Sequence, residues 1–261
     1  MESTSGEKER FDRDGFVIFR NVLDATLVAE ANAHVDWLMA RHPELRPEDL
    51  NHRLVQHDPF WVRLVSDARL LDIAEHFIGP NIALFASHYI CKPPFDGQAV
   101  LWHQDGSYWP LDPMEVVTLW LAVTEATPEN GCMRVVPGTQ DMDLQALRER
   151  RDIPNVLNSG MDDGLVDEGA AVDCVMAPGD VSVHHPNVIH GSNPNTSARW
   201  RRGLTIRYIP TTTRIGLDGP GPHPSAFHLR GDAPEGVNDY NPRPRYVPGQ
   251  CMPFEGCDDW V

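Results

Sequence analysis

His103-Gln104-Asp105 sets an imidazole and a carboxylate one residue apart. In an extended strand, side chains at i and i+2 leave the same face, so both could reach one metal ion from one side. A lone His-x-Asp triplet is a weak signal, since the end of any surface strand can carry it. A further histidine lies 85 residues beyond Asp105, in Val188-Ile-His190-Gly-Ser192. Arg199-Trp-Arg201-Arg202 then opens another strand-like run. His184 and His185 stand near His190 and could also be offered as ligands, although a buried histidine more often just completes a hydrogen bond.

The elements that must position these residues can be read from their punctuation. Phe16-Val-Ile-Phe19 reads as a short strand after a polar lead. Asp24 caps a helix running to about His42, with Leu27, Ala31, Val35 and Leu38 on one face. Asp58-Pro59 and Asp67 begin two more helical segments, the second stopped by Gly79-Pro80. From Ile82 the pattern changes to short β-branched and aromatic runs separated by Gly, Pro, Asn and Asp: 82–91, 99–102, 116–123, 132–136, 171–176, 180–184 and 203–209. Consecutive strands without intervening helices predict an antiparallel double-stranded β-helix, a cupin-like jelly roll, with a helical N-terminal region. The chain therefore reads as one domain, with a mostly helical flank over 1–80 and a jelly-roll core over 81–210. Residues 141–169 form an insertion long enough to be a lid, and the aromatic-bearing stretch 211–261 is a C-terminal cover.

Composition narrows the function classes. The net charge of −16 argues against nucleic-acid and anionic-membrane surfaces, which need a concentrated basic face. Five cysteines, without a Cys-x-x-Cys pair, give no disulfide framework and no thiolate zinc site. With a charged N-terminus lacking an apolar run, this predicts a cytoplasmic protein. Oligomeric state is not readable.

Read together, the motifs resemble one family over most of the chain: Asp14-Gly15-Phe16, Lys92-Pro93-Pro94, His103-Gln-Asp105 with Trp109, Leu119-Trp120, Glu129-Asn130-Gly131, Val136-Pro137-Gly138, Pro178-Gly179-Asp180, His190-Gly-Ser192 and Arg201. The sequence resembles the phytanoyl-CoA dioxygenase group of non-haem iron(II), 2-oxoglutarate-dependent oxygenases. That resemblance implies His103, Asp105 and His190 as a facial triad for Fe(II), leaving positions for 2-oxoglutarate and O2. It implies Arg201 as the guanidinium that holds the distal carboxylate of 2-oxoglutarate, with Ser192, Thr118 and Trp120 around the same cosubstrate. Tyr108, Trp109, His88 and His185 are candidates for the substrate wall.

The expected reaction is hydroxylation of a C–H bond in a small-molecule secondary metabolite, with release of succinate and CO2. Cyclisation, epimerisation and desaturation are alternatives within the class. Halogenation is disfavoured, because related halogenases have a small residue where Asp105 stands. The rival classes are a jelly-roll zinc or manganese isomerase or hydrolase that does not use 2-oxoglutarate, and a silent binding module.

Overall fold

The structure is a computed structural model and describes residues 5–216 and 222–260. Four helices lead the chain: α1 (Ser5–Asp14), α2 (Ala25–Arg41), α3 (Pro59–Val65) and α4 (Ala68–Ile78). Three begin where the caps were expected. Asp24 accepts hydrogen bonds from the amides of Thr26 and Leu27, Asp58 from Trp61 and Asp67 from Arg69, each satisfying donors that a helix start leaves free. α1 replaces the expected polar lead. Its one large apolar residue, Phe11, packs 4.6 Å from the ring of Phe77, so the contact that anchors this helix is tertiary.

Ten strands carry the fold: β1 (Phe16–Phe19), β2 (Ile82–Lys92), β3 (Val100–His103), β4 (Val117–Ala122), β5 (Met133–Val136), β6 (Val172–Asp173), β7 (Val181–His184), β8 (Ile189–Ser192), β9 (Arg201–Pro210) and β10 (Phe227–Arg230). The larger sheet has the order β1-β7-β4-β9-β2-β10, and the smaller β3-β8-β5-β6. All these pairings are antiparallel, the two-sheet jelly roll that the strand pattern predicts. The expected strand over 171–176 shrinks to two residues, because Met176 turns away to bridge Ala126. β10 lies in the C-terminal stretch, where no strand was expected, and pairs with the edge of β2.

The larger sheet has two different faces. Leu204, Ile206 and Tyr208 of β9, Leu119 and Leu121 of β4, and Tyr89 and Cys91 of β2 join a core with α2, α3 and α4. Each fully buried large apolar side chain there contributes about 1.5–3 kcal/mol. A buried polar link crosses this core: the His34 ring lies 2.8 Å from Asp58 Oδ2 and 3.1 Å from the Tyr89 hydroxyl. Phe254 and Met252 close it from the C-terminal side, with Phe254 5.7 Å from the ring of Phe60. The alternate residues of these strands face the smaller sheet, and the site lies between the two. Among the described residues, no helix is long and apolar enough to cross a membrane.

Candidate metal centre and cosubstrate pocket

Strand pairing explains how residues 85 apart meet. β3 and β8 are antiparallel neighbours with His103 directly opposite His190, and their ring centroids are 4.1 Å apart. Asp105 reaches them differently from the sequence expectation. β3 ends at His103, and Asp105 opens a short 3-10 turn, Asp105–Tyr108, so the pair converges from a strand end and a turn rather than along one strand. Gln104 fixes that turn from behind. Its amide nitrogen donates to the Asn187 carbonyl at 2.8 Å, and its oxygen accepts from the Gln145 amide at 2.8 Å.

The ligand atoms of His103, Asp105 and His190 all lie within 4.8 Å of one another, and all three residues are buried. His103 Nδ1 lies 2.8 Å from the Leu101 carbonyl, and His190 Nδ1 lies 3.0 Å from the Val188 carbonyl. A carbonyl only accepts, so each Nδ1 carries a proton and each Nε2 is the nitrogen turned to the site, which is how ligating histidines are oriented. Both Nε2 atoms face Asp105 Oδ1, at 3.5 and 3.9 Å. The donor set is two imidazoles and a carboxylate, which fits a divalent first-row ion. Burial alone would raise the Asp105 carboxyl, but the Arg207 charge and the neighbouring histidines hold it well below the usual carboxylate range. Burial, then His103 and His184, push His190 well below the usual imidazole value. Both ligands are thus in their metal-binding protonation states at neutral pH.

Thr118 is placed differently from the expectation. It does not reach the cavity; its hydroxyl donates to Asp105 Oδ2 at 3.2 Å, making it a support for a ligand rather than a direct contact for a cosubstrate. His184 has its Nε2 3.5 Å from the same oxygen, and neither of its ring nitrogens has a hydrogen-bond partner.

A cavity of about 360 Å³ opens beside the triad. One end is built by the inward residues of β9 and β4. Arg201 is 2% exposed, and its Nε and Nη2 lack partners. Its guanidinium lies 5.4 Å from the ring centroid of Trp120. The close stack depends on Gly203, where a Cβ would fall 2.0 Å from Trp120 Cζ2. Ser192 lines the same end and accepts from Lys92 Nζ at 2.6 Å, leaving its own proton to donate into the cavity. The neighbouring arginines are occupied elsewhere. Arg202 points to Asn32 and Asp36 on α2, and Arg199 precedes the strand and pairs with Glu125. Burial lowers Arg201 to about 10, so it remains a cation at neutral pH with space for an anion before it.

The other end holds Tyr108, Trp109 and His88, three of the four residues expected there. The fourth, His185, lies elsewhere. Its ring faces Phe11 at 6.1 Å and its Nδ1 accepts from the Asn187 amide, because the residue after inward-facing His184 points away from the sheet interior. Sequence reasoning missed Phe85, His52, His223 and Arg207 on this wall. Arg207 had a usable signal: Arg201, Gly203, Thr205 and Arg207 alternate along β9, which marks one face of a strand. Phe85 had none, because a bulge in the β2–β9 pairing turns it inward beside Ala86.

Residues 141–169 lie along β3. The Met161 amide donates to the Trp102 carbonyl and the Val156 amide to Ala99, and the Tyr108 hydroxyl is 2.7 Å from Ser159 Oγ. This insertion therefore walls the turn that presents Asp105.

Known proteins give a consistent setting. The family model described as Phytanoyl-CoA dioxygenase (PhyH) matches residues 11–203. The ectoine dioxygenase of Sphingopyxis alaskensis is 27% identical over 81% of this chain and 79% of its own length. The peroxisomal phytanoyl-CoA dioxygenase of Rattus norvegicus is 31% identical over 77% of this chain and 67% of its own. Against other curated relatives the chain spans about half of their length, 51% of a probable alpha-ketoglutarate-dependent hypophosphite dioxygenase of Stutzerimonas stutzeri and 47% of the human phytanoyl-CoA dioxygenase. Among solved structures, a non-heme monooxygenase, ThoJ, superposes with a TM-score of 0.76 at 26% identity, covering 90% of this chain and 87% of that one. With the family model matching well over half of the sequence, the chain belongs to the phytanoyl-CoA dioxygenase family of iron- and 2-oxoglutarate-dependent oxygenases.

Proposed function

We propose that this enzyme hydroxylates a C–H bond of a small-molecule metabolite, using His103, Asp105 and His190 to hold iron(II), and Arg201, Ser192 and the face of Trp120 to hold 2-oxoglutarate. The observation that carries the reading is a pair of oriented imidazoles meeting a buried carboxylate, beside a buried guanidinium that, among the described residues, has no acidic partner. When bound, iron and 2-oxoglutarate supply an oxidant strong enough to cleave an unactivated C–H bond, with succinate and CO2 as co-products.

The chain's own residues do the rest. Leu101 and Val188 carbonyls fix the two imidazoles, and Thr118 fixes the carboxylate. Trp120, Met133, Val100 and Ile90 line the cavity and exclude water from it. The cavity volume, shared with a cosubstrate of about ten non-hydrogen atoms, favours a substrate of similar size. The pantetheine and nucleotide of an acyl-CoA would have to lie outside, against a chain of net charge −16. Two relatives named for small molecules, the ectoine dioxygenase and an L-proline trans-4-hydroxylase of Streptomyces griseoviridis, agree with that size. All five cysteines are free thiols, which supports a reducing, cytoplasmic setting.

The test is release of succinate under air from 2-oxoglutarate. It should require iron(II) and be lost in Asp105→Ala. Succinate formation by that variant at the wild-type rate would refute the ligand assignment, and a requirement for zinc without 2-oxoglutarate would replace the oxygenase reading.

A further inference from the structure

Arg207 is the charged residue of the cavity that the reaction, as described, leaves unused. Its side chain, 13% exposed, lies on the inward face of β9 and lines the cavity, with its guanidinium 5.3 Å from the ring centroid of Trp109. Nη1 donates to Thr205 Oγ1 at 2.8 Å, while Nε has no partner. Its nearest acid is Asp105, with Nη2 3.8 Å from Oδ1, beyond hydrogen-bond range. Among the described residues, Asp105 is the only carboxylate on the cavity wall, against two guanidiniums.

Charge balance shows what Arg207 lacks. A divalent ion, Asp105, the 2-oxoglutarate dianion and Arg201 together sum to zero. Arg207 then remains as a single, largely desolvated positive charge, which a partner anion would stabilise. The rings around it do not supply one. His52 and His88 also line this end, and burial holds both neutral at physiological pH; His88 spends its Nε2 proton on the Glu48 carbonyl at 2.9 Å. Lys92 and Glu48 lie behind the lining, outside this count.

We infer that Arg207 is the anchor for a carboxylate on the substrate, so that the enzyme acts on a small mono-carboxylic acid whose apolar body lies against Phe85 and Trp109. A guanidinium presents two parallel donors to a carboxylate. A single remaining positive charge matches a monoanion and leaves a dianionic phosphate unbalanced. The two aromatic rings, edge to face at 5.8 Å, give that body an apolar wall. Arg207 and the metal ligands line one cavity, so an acid anchored at Arg207 is held beside the triad. This assignment rests on the oxygenase reading above, and the experiment separates the two.

Protein loaded with nickel(II) in place of iron, so that no turnover occurs, is first titrated with 2-oxoglutarate by calorimetry. Failure to bind at this step sinks the oxygenase reading and this inference with it. The saturated complex is then titrated with matched pairs: phenylacetate against phenylacetamide, and cyclohexanecarboxylate against cyclohexanecarboxamide. Each acid should bind about ten-fold or more tightly than its amide, consistent with a charge-assisted pair. Arg207→Gln should erase that preference and change the 2-oxoglutarate Kd by less than about three-fold, whereas Arg201→Gln should do the reverse. Equal binding of acids and amides, no binding by any member of the panel, or a preference that survives Arg207→Gln would overturn the assignment. The comparison on unmodified protein stands even if a variant does not fold. Loss of 2-oxoglutarate binding in Arg207→Gln with Arg201→Gln unaffected would overturn it as well, by giving Arg207 to the cosubstrate.

Discussion

Gly203 offers a sharp test of how the cosubstrate end is built. An added Cβ would stand 2.0 Å from Trp120 Cζ2 and 2.5 Å from Cε2, against the ~3.5–4.0 Å of ordinary carbon contact. One side must move by about 1.5 Å. The backbones have little room to, because β9 and β4 run in antiparallel register here, Gly203 opposite Ala122 and Thr205 opposite Trp120, and the Val123 amide donates to the Arg202 carbonyl at 3.0 Å beside them. Gly203→Ala should therefore tilt the indole off the Arg201 guanidinium. The overpacking should cost about 1–3 kcal/mol of stability, lowering the melting temperature by roughly 2–10 °C in a chain of this size. Loss of the stacked cation, worth about 0.5–2 kcal/mol, should raise the 2-oxoglutarate Kd by about two- to thirty-fold. Differential scanning fluorimetry and calorimetry with the nickel-loaded protein measure both. Adding Trp120→Phe removes the clashing ring edge and should recover part of the stability. A Gly203→Ala variant with wild-type melting and wild-type 2-oxoglutarate affinity would show that Trp120 is not held where the structure puts it.

Other outcomes follow from the same geometry. Thr118→Val deletes the hydrogen bond to Asp105 Oδ2 with little change of volume, and should weaken metal affinity by about ten-fold or more, as loss of a ligand's support does; unchanged metal binding in a competition assay with a chelator would reject that support. Acid should destabilise the fold through histidines buried in the neutral form. Burial lowers His52 to about 4 and His88 to about 3, so the unfolded chain takes up protons first as pH falls below about 6.5. Stability is therefore complete above that value and declines down to pH 4–3, by up to about 1.4 kcal/mol per pH unit for each group. His88→Gln should flatten the dependence of the melting temperature on pH; an unchanged slope would mean that His88 titrates normally.

The sequence determined the strand and helix inventory wherever local chemistry marks an element. Asp24, Asp58 and Asp67 announced their helices because a cap is a side chain acting on its own backbone. The runs beginning at Ile82 announced a jelly roll because β-branched segments between turn residues have few other solutions. It also supplied His103, Asp105, His190 and Arg201, through motif spacing together with the family resemblance. α1 was illegible because a single contact, Phe11 on Phe77, holds it. β10 was illegible because four residues, Phe227–Arg230, are too few to show a strand period, and only pairing with the edge of β2 makes them one.

What only the tertiary structure decided was the second tier of the site. Whether Thr118 meets a cosubstrate or a metal ligand depends on the stagger between β4 and the Asp105 turn, which no local pattern encodes. Whether His184 or His185 faces the interior depends on strand parity, which is fixed only once β7 pairs with β4. Arg207 became visible as an unpaired charge only when the opposing sheet supplied one carboxylate to two guanidiniums. Side-chain identity sets which chemistry is available. The register of strands brought together from distant parts of the chain sets which groups share a cavity and which charge is left without a partner.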